Sequence, residues 1–143
     1  MAAGYLLDTN VLSELMRPAP DRRVLGWLEV HRGTRFATSA VTRAELLLGV
    51  ALLPAGKRRE RIAHAIEQTL EEDFTSNCLA FDAAAANEYA ILVAACVRVG
   101  KPISTEDAQI AAIALANSLA LVTRNGKDFA AITGLALIDP WMG

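Results

Sequence analysis

Four carboxylates in this chain sit where segments change character. Asp8 ends the apolar run Tyr5-Leu6-Leu7, and Glu45 follows Arg35–Ser39, RFATS, within one turn of the next helix. Asp107 opens the segment rich in isoleucine and alanine at 110–116, and Asp128 follows Leu119–Thr123, LALVT, together with Asn125. Carboxylates brought close to one another raise one another's pKa or demand a cation. A set of oxygen ligands without paired Cys or His selects a hard cation, Mg²⁺ or Mn²⁺. Such a cation binds phosphate oxygens and activates water for in-line attack at phosphorus. Each acid also has a plainer role. Asp8 can cap a helix, Thr42-x-x-Glu45 and Ser104-x-x-Asp107 have the capping-box pattern, and Asp128 can cap the segment after 125. Convergence at one edge is what separates the two readings.

The surrounding pattern supplies such an edge. Tyr5–Leu7 is too short for a helix and reads as a strand, and Thr9, Val11, Leu12 and Leu15 begin a helical period that Arg17-Pro18-Ala19-Pro20 stops. Asp21 caps a second helix carrying Val24, Leu25, Trp27 and Leu28, which ends near Arg32-Gly33. Residues 35–39 form a strand, a helix from Val41 runs to Pro54-Ala55-Gly56, and a long helix runs from Lys57 to about Phe74. Cys78–Phe81 reads as a third strand, with Asp82 capping an alanine-rich helix over 83–99 that Gly100-Lys101-Pro102 breaks. Residues 119–123 and 135–138 are the fourth and fifth strands, before the tail Asp139-Pro140-Trp141. Strands alternating with helices predict an α/β fold, a mainly parallel sheet of about five strands flanked by helices on both faces. In a parallel sheet all strand C-termini share one edge, helix N-termini gather there, and ligands bind in the crevice outside it.

Composition narrows the setting. A chain of 143 residues fits one domain spanning 1–143, and neither repeats nor a linker divide it. Hydrophobic residues make up 53% but aromatics only 6%, which suits close packing of small helices on a sheet. A net charge of −2 excludes a global basic field for nucleic acid, so any such contact needs a local patch or a bound metal. Lys57, Arg58 and Arg59 form the densest basic run, either a solvated helix face or a phosphate contact. Cys78 and Cys96 read as buried thiols of a cytosolic protein, and His31 and His64 lie apart on helices. The start, MAAGYLLDTN, lacks the basic region of a signal peptide, and no apolar run spans a membrane, so a soluble, cytoplasmic protein is expected.

Four stretches resemble one family together: LDTNVL at 7–12, SAVTRAEL at 39–46, EDAQIAA at 106–112 and TRNGKDF at 123–129. They look like the PIN domain, and more narrowly like the VapC-type toxins of bacterial toxin–antitoxin pairs, with a tail similar to the FitB-like branch. The motifs stand in the family's order over nearly the whole chain. The resemblance implies a ribonuclease whose metal-binding, catalytic acids fall on Asp8, Glu45 and Asp107. The fourth position falls in T-R-N-x-x-D, on Asp128 as ligand or on Asn125 holding a water. It further implies orienting roles for Thr9, Asn10, Thr123 and Asn125, and contact of Arg124 with phosphate or a surface role for it. Mg²⁺ or Mn²⁺ as cofactor, an RNA substrate, a homodimer open to higher toxin–antitoxin assembly, and a cognate antitoxin that blocks the groove follow from the same resemblance.

Three other classes place acids on a parallel sheet. A response-regulator receiver, with Asp82 as phosphoacceptor, needs an acidic pair after the first strand and a Lys-Pro after the fifth, and this chain has neither. A phosphatase of the haloacid dehalogenase type needs D-x-D, and position 10 is Asn. A non-catalytic PIN-like scaffold is expected to have lost acids.

Overall fold

In the computed structural model, which describes residues 3–74 and 77–142, five short strands lie side by side and all parallel. The outermost bounds of the expected domain, 1 and 143, fall outside the described residues. The strands are β1 (Tyr5–Leu7), β2 (Phe36–Ser39), β3 (Cys78–Leu79), β4 (Ala120–Val122) and β5 (Leu137–Ile138), in the order β3-β2-β1-β4-β5. β1 is central because it is buried on both faces: Leu6 and Leu7 are almost fully covered, from opposite sides. The chain builds outward from β1 to β2 and β3, then crosses to lay β4 and β5 on the other flank. That reversal makes the C-terminal mouth between β1 and β4 the switch point of the sheet, where open α/β folds form crevices.

The helices are α1 (Thr9–Leu15), α2 (Arg22–Val30), α3 (Ala40–Ala51), α4 (Lys57–Gln68), α5 (Ala83–Arg98), α6 (Thr105–Ala116) and α7 (Gly126–Phe129). Strand alternation feeds two cores. Leu6, Ala37 and Leu121 face α5, α6 and Phe129 of α7, whereas Leu7 and Val122 face Val11, Val24, Ile66 and Trp141. α6 lies between the sheet and α5, and Ile110, Ala111, Ala112, Ile113 and Ala114 are all buried. A helix apolar around its whole circumference belongs inside a fold. Each buried isoleucine contributes about 1.5–3 kcal/mol, so Asp107 in the first turn of α6 is mounted on a rigid support.

Several local expectations shift. Ser39, not Thr42, caps α3: its Oγ accepts the Thr42 N–H at 3.0 Å, so the helix begins at Ala40. The capping box read into Thr42-x-x-Glu45 is therefore absent, because Thr42 already lies inside the helix and is buried. The long helix from Lys57 ends at Gln68 and closes through a π-helical turn over Thr69–Asp73. β3 spans only Cys78–Leu79 of the expected 78–81, and β5 only Leu137–Ile138 of 135–138. Both are edge strands paired on one side alone. That edge position leaves the Cys78 thiol half-buried rather than buried, whereas Cys96 is fully covered. His31 falls on the C-cap of α2, its Nδ1 2.8 Å from the Trp27 carbonyl oxygen. Asp21, Asp82 and Ser104 cap α2, α5 and α6 as their positions predict. Among the described residues, no helix is long and apolar enough to cross a membrane.

Candidate active site

Asp8 sits at the switch point. Its N–H donates to the Val122 carbonyl at 2.9 Å, carrying the β1–β4 ladder up to the acid itself. The side chain is 5% exposed. Oδ1 accepts the Thr9 N–H at 2.8 Å as a helix cap, and Oδ2 accepts the Thr123 hydroxyl at 2.8 Å. The cap and the convergence are thus not alternatives, since one oxygen serves α1 while the other faces β4. Burial pushes the Asp8 carboxyl above the usual carboxylate range, and the bonds from Thr123 and Thr9 oppose that rise.

Thr123 and Asn10 tie the two strand ends together. The Thr123 oxygen also accepts Asn10 Nδ2 at 3.2 Å and the Asn125 N–H at 3.1 Å. One donated and two accepted bonds use the full capacity of a hydroxyl. Asn10 Oδ1 accepts the Arg124 N–H at 3.2 Å, so the loops after β1 and β4 are held in one register. On the other flank, the Thr9 hydroxyl donates to Glu45 Oε1 at 2.7 Å and lies 3.1 Å from the Thr42 hydroxyl. Glu45 itself is exposed. The capping-box pattern gives Thr42 only the role of a cap, yet it stands one helical turn before Glu45. That i, i+3 spacing is the signal that places both on one face.

Asp107 reports on the whole cluster. Burial raises its pKa most, the charge of Asp8 adds to this, Ser104 opposes it, and Asp128 and Glu45 add smaller increments in the same direction. All four acids therefore feel one another at this residue. Among the described residues none of the four is neutralised by an ion pair. Arg124, in the loop after β4, places its guanidinium carbon 4.8 Å over the Trp141 ring. No group of three or more His, Cys, Asp and Glu among the described residues is already closed to the spacing of a metal cage. The donor set still fits a hard divalent cation: carboxylate oxygens only, mutually repelling and without a cationic partner. Asp128 shares a depression with Asp107, whereas Asn125 contributes its backbone N–H to Thr123 and leaves its side chain exposed.

Two hollows flank the acids. A groove of about 580 Å³ runs from Thr9 and Glu45 between α1, α3 and α4, with Leu46, Val50 and Ile62 in its walls and Arg17, Arg58 and Arg61 beside them. Lys57 and Arg59, expected to act with Arg58, do not line it. Arg61 belongs to the same basic run as Lys57–Arg59, whereas Arg17, just past the end of α1, is the groove residue that no sequence spacing links to that run. The second hollow, about 630 Å³, opens on the side of Asp107 and Asp128.

Comparison with known proteins agrees with this architecture. The chain is 42% identical over 137 residues to the toxin FitB of Neisseria gonorrhoeae, covering 95% of this chain and 97% of that protein. It is 40% identical over 136 residues to the VapC ribonuclease Y4jK of Sinorhizobium fredii, covering 95% and 96%. The crystal structure of FitAcB from Neisseria gonorrhoeae superposes with a TM-score of 0.86 at 40% identity, covering 96% of this chain and 98% of that one. The PIN domain family model matches residues 5–135, and with it strands β1 to β4, the switch point and all four acids: the chain belongs to the PIN domain family.

Proposed function

We propose that this protein is a metal-dependent endoribonuclease toxin, cutting RNA phosphodiester bonds at the cluster of Asp8, Glu45, Asp107 and Asp128. The observation that carries this reading is that four acids without an ion-pair partner among the described residues stand at the C-terminal mouth of the sheet, where the charges of Asp8, Asp128 and Glu45 act on the fourth, Asp107. The family and the ribonuclease and toxin names of its relatives supply the reaction class.

Asp8, Asp107 and Asp128 would hold Mg²⁺ or Mn²⁺, with Glu45 completing the set. The chemistry such a cation supplies when bound is polarisation of a phosphodiester and activation of water. The chain's own residues do the positioning. Thr123 and Thr9 fix the two oxygens of Asp8, Thr9 fixes Glu45, and Asn10 clamps the loops that carry them. Orienting partners of this kind set ligand geometry and basicity.

The partner is an antitoxin protein. The groove beside Glu45 is walled by aliphatic side chains and bordered by arginines, which suits an amphipathic protein segment bearing acids. An Arg or Lys of that segment reaching the carboxylates would neutralise them through bidentate bonds. The protein acts as a homodimer in this reading.

Incubation of a labelled single-stranded RNA with the purified protein tests the activity. Cleavage with Mg²⁺ or Mn²⁺ that EDTA stops is expected. Intact RNA under every metal condition, from a protein shown to be folded, would overturn the proposal.

A further inference from the structure

We infer that the hollow on the Asp107 side, with Lys101 and Lys127 in its wall, is a subsite for a phosphate of single-stranded RNA next to the one being cut. This rests on the ribonuclease reading and assigns that substrate a path. The hollow is built from the loop between α5 and α6 and from α7. Lys101, Pro102, Ile103 and Ser104 come from the first, Lys127 and Asp128 from the second, with Asp107 at its acid end.

Both lysines are exposed, and neither forms an ion pair among the described residues, although two carboxylates share the hollow with them. Lys127 is even adjacent to Asp128 in sequence and does not bond to it. The groups acting on the Asp107 pKa include Asp8, Asp128 and Glu45 but no lysine. The carboxylates are thus not taken up by ion pairs with these lysines, and both lysines remain on the wall of the hollow.

A polyanion crossing the acids needs such an arrangement. The scissile phosphate lies at the carboxylates with the cation, and a flanking phosphate, which gets no help from that cation, needs basic side chains of its own. A lysine serves as a compact point charge for phosphate. The apolar part of the wall, Pro102, Ile103, Ala130 and Ala131, offers a surface against which a base can lie. A volume of about 630 Å³ falls within the size of small-ligand sites. The opposite groove is walled by Leu46, Val50 and Ile62 between its arginines, an amphipathic surface of the kind a protein segment covers. RNA and antitoxin therefore approach the acids from opposite sides.

The test is equilibrium binding of a fluorescein-labelled single-stranded RNA oligonucleotide of mixed sequence, in EDTA to prevent cleavage, across a salt series. Lys101→Ala combined with Lys127→Ala should weaken binding about tenfold at low salt and reduce the log–log salt slope by about 0.7, the value for one lost phosphate contact. The corresponding double Lys→Arg variant should keep wild-type affinity and slope, and Mn²⁺ binding should be unchanged in both. Reversal of Lys57, Arg58 and Arg59 serves as the comparison. Loss of affinity and slope on that reversal, with the Lys101/Lys127 variant indistinguishable from wild type, would overturn the inference while wild-type cleavage left the ribonuclease reading standing. Wild-type protein that neither binds nor cuts RNA would sink both.

Discussion

The Thr123 hydroxyl donates a 2.8 Å hydrogen bond to Oδ2 of Asp8 from 115 residues away, closing the C-terminal mouth between β1 and β4. Both side chains are buried, Thr123 completely. Thr123→Val keeps the shape but leaves the carboxylate oxygen, Asn10 Nδ2 and the Asn125 N–H without that partner. A cost of about 1–3 kcal/mol in unfolding free energy is expected, with metal affinity reduced about 10–100-fold. Thr123→Ser should restore most of both. Denaturant melts and Mn²⁺ titrations of the two variants check this, and a loss in Ser with wild-type behaviour in Val would assign the role to packing of the methyl group.

Asp8 and Asp107 both have raised folded-state pKa values, chiefly through burial. The folded protein therefore holds protons at these sites more tightly than the unfolded chain does. Their contribution favours the fold below the unfolded value, 3.8, and is lost as pH rises through the folded pKa values. Without metal at neutral pH, both carboxylates work against folding. Asp8→Asn should accordingly raise the Tm of the metal-free protein at pH 7, with the gain shrinking as the pH is lowered towards 4. A lower Tm for Asp8→Asn at pH 7 would contradict this sign.

The same shifts set the acid limb of activity. Protons compete with a cation for carboxylates, so cleavage at fixed, subsaturating Mn²⁺ should fall as pH drops through the raised pKa values. Excess Mn²⁺ should move that limb to lower pH. A pH profile that ignores the metal concentration would exclude Asp8 and Asp107 from binding it.

Asp128 lies in the hollow with Asp107, whereas Asn125 uses its backbone on Thr123. Asp128→Asn is expected to lower cleavage about 10-fold or more and raise the Mn²⁺ requirement, with Asn125→Ala doing less. Cleavage titrated with Mn²⁺ distinguishes them. A normal rate and metal requirement in Asp128→Asn would reduce Asp128 to a helix residue and move the role to Asn125.

Gly4 enters β1 against the backbone of Arg35, and an added Cβ would lie 2.6 Å from the Arg35 carbonyl oxygen. The backbone there cannot yield cheaply, because Tyr5 N–H donates to that same carbonyl at 2.9 Å. Gly4→Ala should destabilise the fold by about 1–3 kcal/mol, read by urea unfolding. An unchanged midpoint would show that β1 and β2 separate freely at this end.

The sheet was legible because the strands other than β2 are short apolar runs, and caps and breakers bound them. Asp8, Asp82 and Pro102 mark boundaries that the structure keeps. Edge strands were less legible: 80–81 and 135–136 continue the apolar run of their neighbours but have no second partner strand to pair with. The meeting of the four acids could be inferred from topology, since parallel strands deliver their ends to one edge. What could not be inferred was how each acid is held. Thr9 reaching Glu45, and Asn10 bridging to Arg124, are contacts between segments 36 and 114 residues apart with no local pattern to announce them. Arg17 was hidden for the same reason, because it meets Arg58 and Arg61 only after α1 and α4 have packed.

The central claim is that the acids of this chain jointly bind one kind of divalent cation that RNA cleavage requires. Titration of Mn²⁺ into wild-type protein and into Asp8→Asn by isothermal calorimetry, with both folds verified by circular dichroism, addresses it most directly. Saturable binding by the wild type, weakened about 100-fold or abolished in Asp8→Asn, is the expected result. Identical binding isotherms from the two proteins, or no binding by either at millimolar Mn²⁺, would contradict it.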